Sequence, residues 1–331
     1  MKPIDEFLRP SSVIEFPIDR FPADRHGLIR REATLRVGIA DDVVNAAVRR
    51  GRLLRLAPGV WVPAFPGLED ADGVDRLYRY RSIAVATSAR DRGVSTLSHF
   101  SAAALLGLDT LHPDRERVHL LTKSSARGGF VRGLRHVHNG PLTPAETVDI
   151  DGVVVTRLER TAVDIAMAGS FEQAIVVLDA ALRLGADPAV MTAMVDARAG
   201  TPNIGVARRA LSLADARSES VGESWSRAQM IEAGIPLPRL QHTFETSYGD
   251  IRSDFDWEGL VIGEFDGMHK YDKLIRDGET VRDVLIREKR REGALAEQGI
   301  VVIRWTWSTL ERRELAQILR PSLARIGLVA A

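Results

Sequence analysis

Apolar positions change their spacing several times along the chain, and each change predicts a change of element. After a leader of residues 1–20, the stretch 21–66 opens with a short helix around Arg31–Val37, stopped by Gly38. Asp41 is placed to cap a second helix reaching Arg50, with Val43, Ala46 and Ala47 along one side. Gly51 ends that helix, and RLLRLAPGVWV alternates as a two-stranded ribbon turning at Pro58 and Gly59. Residues 74–200 mix both periods. Helical spacing covers Asp75–Arg90, residues 98–108, Arg160–Ala168 and Phe171–Leu184, and strand spacing covers RVHLLT, LRHVHN and DGVVVTR.

The last stretch, 203–331, is the most regular. A helix starts near Asn203, and a second carries Glu219, Glu223 and Arg227 at intervals of four on one face. Then LQHTFE, DIRSDFDW and LVIGEFDG read as three strands of a meander. A charged helix over Glu279–Glu297, the strand VVIRWTW and a helix over Ser308–Ile326 complete the order αβββαβα. The long crossover into VVIRWTW suits a parallel connection. The predicted fold class is therefore mixed, multidomain α/β. Its parts are an N-terminal winged helix-turn-helix, a middle α/β module and a C-terminal α/β domain.

Composition narrows the chemistry. The 331 residues include 45 basic and 45 acidic side chains, so a nucleic-acid partner must rely on a local basic face rather than on net charge. There is no cysteine, which excludes disulfides, thiolate catalysis and zinc–thiolate sites. The start lacks the apolar run of a signal peptide, and no segment approaches eighteen uninterrupted apolar residues. A soluble, cytoplasmic protein without a membrane partner is the expectation. Eight histidines are scattered; His136 and His138 share a strand face, but no spacing supplies a third ligand beside them, His99 or His119. Satisfied or solvent-exposed histidines are the expectation there.

Two groups of charged residues carry candidate chemistry. Arg49, Arg50, Arg52 and Arg55 lie on the second helix and the ribbon, where a recognition helix and wing need cations against DNA phosphates. A small scaffolding domain with solvated arginines is the plain alternative. In LVIGEFDG, alternation puts Glu264 and Asp266 on one face, and Asp254 and Asp256 share a face of the neighbouring strand. Carboxylates from Asp254, Glu264 and Asp266 gathered at one sheet end repel one another unless neutralised, and Mg2+ or Mn2+ is the natural partner for oxygen donors. Lys270 can reach back as a cation near a phosphate, and Glu223, backed by Arg227, can come over the sheet to bind metal through water. Ordinary turn and edge residues making surface pairs are the alternative. The charged helix adds Arg282, Arg287, Lys289, Arg290 and Arg291, either as a phosphate-tracking edge or as partners of Glu288 and Glu292.

ESWSR, DFDW, EFDGMHKYD, the EKRRE helix and VVIRWTW together resemble the very-short-patch-repair and DUF-type endonuclease-like branch of the PD-(D/E)XK fold, as found in an actinobacterial protein group. In that resemblance Asp254 stands for the first acid, Glu264 for the second and Glu223 for the helix acid. Asp266 occupies the position of the usual lysine, exchanging a positive charge for a negative one, and Lys270 is the candidate for its role. HGLIRREATLRVGI, VRRGRLLRLAPGVWV, SHFSAAALLGL and RTAVDIA are similar to AbiEi-family antitoxins, whose winged helix and α/β module repress toxin–antitoxin operons. Three functions follow: a DNA-directed, metal-dependent endonuclease; a non-catalytic DNA-binding regulator with a degenerate nuclease-like domain; or a protein-binding partner in a toxin–antitoxin or defence system. Winged-helix proteins often pair, so a homodimer stays open.

Overall fold

The computed structural model describes residues 16–123, 129–267 and 280–330. The front begins with Ile29–Arg30 (β1), Arg31–Arg36 (α1), Asp41–Arg49 (α2), Leu53–Ala57 (β2) and Val60–Pro63 (β3). Then come Ala71–Ala86 (α3), Thr96–Leu97 (β4), His99–Leu106 (α4), Val118–Thr122 (β5), Phe130–Arg132 (β6), Arg135–Asn139 (β7), Thr147–Ile150 (β8) and Val153–Thr156 (β9). Leu158–Ala168 (α5), Phe171–Arg183 (α6), Pro188–Asp196 (α7) and Ile204–Leu213 (α8) follow. The chain ends with Val221–Glu232 (α9), Arg239–Thr246 (β10), Gly249–Trp257 (β11), Val261–Asp266 (β12), Val281–Glu297 (α10), Val301–Thr306 (β13), Trp307–Glu311 (α11) and Leu315–Arg325 (α12). The fold class is mixed α/β with three sheets among the described residues. No helix among them is long and apolar enough to cross a membrane.

Two compact units share these elements. One takes the described residues up to Leu97, those of 115–141 and those of 149–154; the other takes 98–114, 142–148 and the rest of the chain from Val155. The stretch 74–200 thus contributes to both. In the first unit, β1-β3-β2 make a small sheet, and β4, β5, β6 and β7 belong to a larger one of order β6-β7-β5-β4-β9-β8. Phe21, Ile29, Ile39, Val44, Ala47, Leu53 and Trp61 form the core beneath α1 and α2. The sequence pattern placed Val43 with Ala47, but Val44 is the residue that turns fully inward, three positions before Ala47. Asp41 is not the cap of α2. Ala40 holds that position in extended backbone, and the Asp41 carboxylate instead takes the Arg31 guanidinium, Nη2 to Oδ2 2.6 Å. That pair ties α1 to α2, while Arg31 N–H donates to Gly59 O at the ribbon turn, 2.9 Å.

The second unit packs α4–α8 around Ala162, Ile165, Ile175 and Leu178. Its four-stranded sheet has the order β10-β11-β12-β13, antiparallel twice and then parallel across β12–β13. On one face, Phe255, Trp257 and Trp305 pack with Trp225 and Met230 of α9 and Leu319 and Leu323 of α12. On the other, Phe244, Ile251 and Ile262 pack with Ala294 and Leu295 of α10. Ile251 and Phe255 are four residues apart on β11 yet serve opposite cores, and so do Phe244 and Leu240 on β10. Simple alternation would put each pair on one face. The strand pair therefore rolls between them, at Gln241, whose φ of 54° is left-handed.

Candidate functional site

The roll decides where Asp254 points. Gln241 and Asp254 lie between the partners Leu240↔Phe255 and His242↔Ser253. Regular β11–β12 pairing extends only to Phe255↔Gly263, and the next exposed amide is answered by a side chain: Phe265 N–H donates to Asp254 Oδ2 at 2.9 Å. Asp254 and Asp256, expected to share surroundings, have separate ones. Asp256 is fully buried, accepts the Gly259 N–H at 2.8 Å and meets Arg239 and His242, so it holds the β11–β12 turn.

Glu223 reaches the same place from α9. Gly222 lies so close to the Phe265 ring that no side chain fits between, which seats the first turn of α9 against β12. Ser220 caps the helix through Glu223 N–H (3.2 Å), and its hydroxyl donates back to Glu223 Oε1 (2.8 Å). Glu223 Oε2 accepts from Glu219 N–H and from Gln241 Nε2, each at 2.9 Å. A carboxylate folded over a helix N-terminus is held by the dipole and by the free amides there. Glu219 precedes α9 instead of sharing its face, and its carboxylate pairs with Arg252 at 2.6 Å. Nor does Arg227 stand behind Glu223: its guanidinium turns to the buried Asp179 (2.5 Å) and to Leu213 O.

Gln241 bridges Glu223 and Asp254, and its Oε1 is buried without a hydrogen-bond partner among the described residues. Burial, reinforced by the charges of Glu223 and Glu264, pushes the Asp254 carboxyl up to about 6 against the pull of the Phe265 amide. Glu264 is nearby but differently held. Arg291 Nη2 of α10 reaches its Oε1 at 2.6 Å, and Arg304 Nε, its register partner on β13, reaches Oε2 at 2.9 Å. Asp266 is exposed at the end of β12 opposite Thr306, and Lys270 lies outside the described residues. Glu223, Asp254 and Glu264 are thus brought together and Asp266 is not. Among the described residues no three of Glu223, Asp254, Glu264 and Asp266 place carboxylate oxygens close enough together for a single cation. Spacing alone did not reveal Gln241 or Arg304, because a left-handed φ and a parallel register leave no mark on it. Of the α10 cations, Arg282, Lys289 and Arg290 are exposed, whereas Arg291 is also near Glu288.

On the front unit Arg49, Arg50 and Arg55 are exposed, and a cleft between α2 and the ribbon is lined by Arg31, Asn45, Arg55 and Trp61. Arg52 differs from its neighbours. It is half-buried, with Nη1 donating to Phe16 O at 2.9 Å.

The histidines of β5 and β7 meet through strand pairing and are satisfied by one another, His119 Nδ1 lying 3.0 Å from His138 Nε2. Parallel pairing of β5 with β7 sets His119 beside His136, with His138 two residues on along β7. Ring centroids are 4.8 Å apart for His119–His136, 5.2 Å for His119–His138 and 4.2 Å for His136–His138. Burial, with His136 and His119 alongside, pulls His138 down to about 3. Strand pairing supplied the neighbour that linear spacing could not.

No protein-family model matches the chain. It is similar to two uncharacterized proteins of Mycobacterium tuberculosis, from strains CDC 1551 / Oshkosh and ATCC 25618 / H37Rv. Each is 29% identical over 271 residues, covering 76% of this chain and 93% of the relative.

Proposed function

We propose that the protein is a DNA-directed, divalent-metal-dependent endonuclease-like protein that hydrolyses phosphodiester bonds. The supporting observation is the group formed by Asp254, Glu223 and the orphaned Gln241 Oε1, beside Glu264. Among the described residues the hydrogen bonds to Asp254 come from the Phe265 amide and the Gln241 side chain, both neutral, and Gln241 Oε1 has no donor, so these residues leave excess negative charge in the pocket. Oxygen donors of this kind fit Mg2+ or Mn2+, with Asp254 and Glu223 as the holding groups, Gln241 Oε1 turning in on a flip of its amide and Glu264 joining when its arginines release it. Such a cation supplies activated water and charge for the phosphoryl transition state. The exposed Arg49, Arg50 and Arg55 of the front unit suit duplex phosphates, with α2 as recognition helix and β2–β3 as wing. For a protein acting on genomic DNA, the cytoplasm is the location this reading proposes.

A second reading rests on Glu264. Both of its oxygens are occupied by arginine, and Asp266 stands exposed where the PD-(D/E)XK pattern has its lysine. These features favour a DNA-binding regulator whose last domain no longer cuts, with a cognate toxin or a second copy of the chain as partner. Incubating linear, supercoiled and single-stranded DNA with the protein and Mg2+ or Mn2+ separates the readings. Metal-dependent product that disappears in Asp254→Asn and Glu264→Gln supports the nuclease. Intact DNA under every condition, with operator binding retained, transfers the function to the regulator.

A further inference from the structure

Every acidic residue of α10 has a partner. Asp283 Oδ2 accepts the Thr280 N–H at 2.9 Å and closes the start of the helix. Glu288 and Glu292 turn to Arg291 and Arg304, at 3.6 Å and 3.4 Å, and Glu297 accepts from the Ser247 hydroxyl at 2.7 Å. Arg291 is itself committed to Glu264. Arg282, Lys289 and Arg290, in contrast, are exposed and make no ion pair among the described residues. Lys289 and Arg290 follow Arg282 by about two turns, so the three cations share one stripe. Ile286 lies between them, 42% exposed, and Gly293, roughly a turn further on, has open space where a side chain would stand.

We propose that this stripe of α10 holds the phosphate backbone of duplex DNA beside the acidic group of Glu223, Asp254 and Glu264. The inference rests on the DNA-directed part of the function proposed above and adds the surface of the last domain that carries the substrate. Arg290 adjoins Arg291, whose guanidinium reaches Glu264, so the outer cations begin one residue from the candidate site. From Arg282 to Lys289 the helix rises about 10.5 Å, a length over which one strand of B-DNA presents about three phosphates. No internal ion pair has to break before these cations meet a phosphate, and Gly293 lets the strand come close to the helix. The stripe has no aromatic side chain on which unpaired bases could stack, which favours a duplex over a single strand. An anionic membrane also attracts basic helices, but it needs a wide apolar face. Ile286 is the one exposed large apolar side chain described on α10.

Full-length protein is titrated by fluorescence anisotropy against a labelled duplex of mixed sequence in EDTA, at several salt concentrations. A single-stranded oligonucleotide and phosphatidylserine vesicles form separate arms. The triple variant Arg282→Gln, Lys289→Gln and Arg290→Gln should lower the slope of log affinity against log salt by about 0.9 per cation, about 2.7 in all. Arg282→Lys with Arg290→Lys keeps the charge and should keep the slope. Melting should stay at the wild-type value in both, because none of the three side chains makes an ion pair in the fold. An unchanged duplex slope in the triple variant, where the wild type binds, overturns this surface and leaves the DNA role of the front unit standing. No duplex binding by the wild type overturns both. Loss confined to the single strand or to vesicles overturns the duplex assignment and gives the stripe that other partner. A slope that falls as expected in a protein that cuts no DNA supports the stripe while the nuclease reading fails.

Discussion

Gly222 faces the ring of Phe265 so closely that a Cβ on the glycine would lie 2.0 Å from Phe265 Cε1. This contact brings the first turn of α9, and Glu223 with it, onto β12. Gly222→Ala must push the helix off the strand or turn the ring. The expected cost is about 1–3 kcal/mol, typical of overpacking, read as a lower melting temperature. Mn2+ binding should weaken with it, because Glu223 moves away from Gln241 and Asp254. Unchanged melting would mean that α9 is not seated by this contact.

Asp254 should show its environment in the pH dependence of stability. Its carboxyl is raised to about 6 in the fold and returns to the ordinary value of 3.8 on unfolding. The unfolded chain therefore releases this proton first as pH rises. The stability contribution is fully present below pH 3.8, declines between 3.8 and 6, and is lost above that window. Asp254→Asn mimics the neutral form, so it should be more stable than wild type at pH 7–8 by about 1–3 kcal/mol. The difference should close toward pH 4. Denaturant melts across that range measure it, and a variant less stable at pH 8 would contradict the assigned environment. Mn2+ affinity of the wild type should fall below pH 6 for the same reason.

In the proposed cation site, Arg304 is the competitor of the ion for Glu264. Arg304→Gln removes the hydrogen bond to Oε2 and leaves Arg291 on Oε1. A charge-assisted bond of this kind contributes about 1.5–3 kcal/mol, so the variant should be less stable by a similar amount. If the carboxylate belongs to a cation site, Mn2+ affinity by calorimetry should rise in the variant. Affinity unaffected by the substitution would assign the arginine cluster a purely structural role.

The four front arginines should separate in a salt titration. Each exposed cation lost from a DNA contact lowers the slope of log affinity against log salt by about 0.9. Arg49→Ala, Arg50→Ala and Arg55→Ala should each show that change with little effect on melting. Arg52→Ala should lower the melting temperature instead, because its guanidinium holds the Phe16 carbonyl. Equal slopes for all four variants and the wild type would remove this face from DNA binding.

Local chemistry was sufficient for much of the architecture. Gly51 with the Pro58-Gly59 turn, and the alternating strands of the last domain, are set by neighbours a few residues away, and the observed ribbon and strand order reflect them. Strands as short as Thr96–Leu97 and Phe130–Arg132 left no periodic signal, since two or three residues do not complete a pattern. Elements were legible where their period repeats, and their ends were displaced where a side chain chose a distant partner, as Asp41 chose Arg31 over its own helix.

The sequence alone determined which side chains are available: clustered carboxylates in SDFDW and EFDG, arginines on the second helix, histidines with no cysteine to accompany them. Only tertiary structure decided which of them meet. The roll at Gln241 separated Asp254 from Asp256, parallel pairing put Arg304 on Glu264, and β5–β7 pairing assembled the histidines. Each outcome depends on backbone pairing between residues far apart in the chain, and no local periodicity encodes that register.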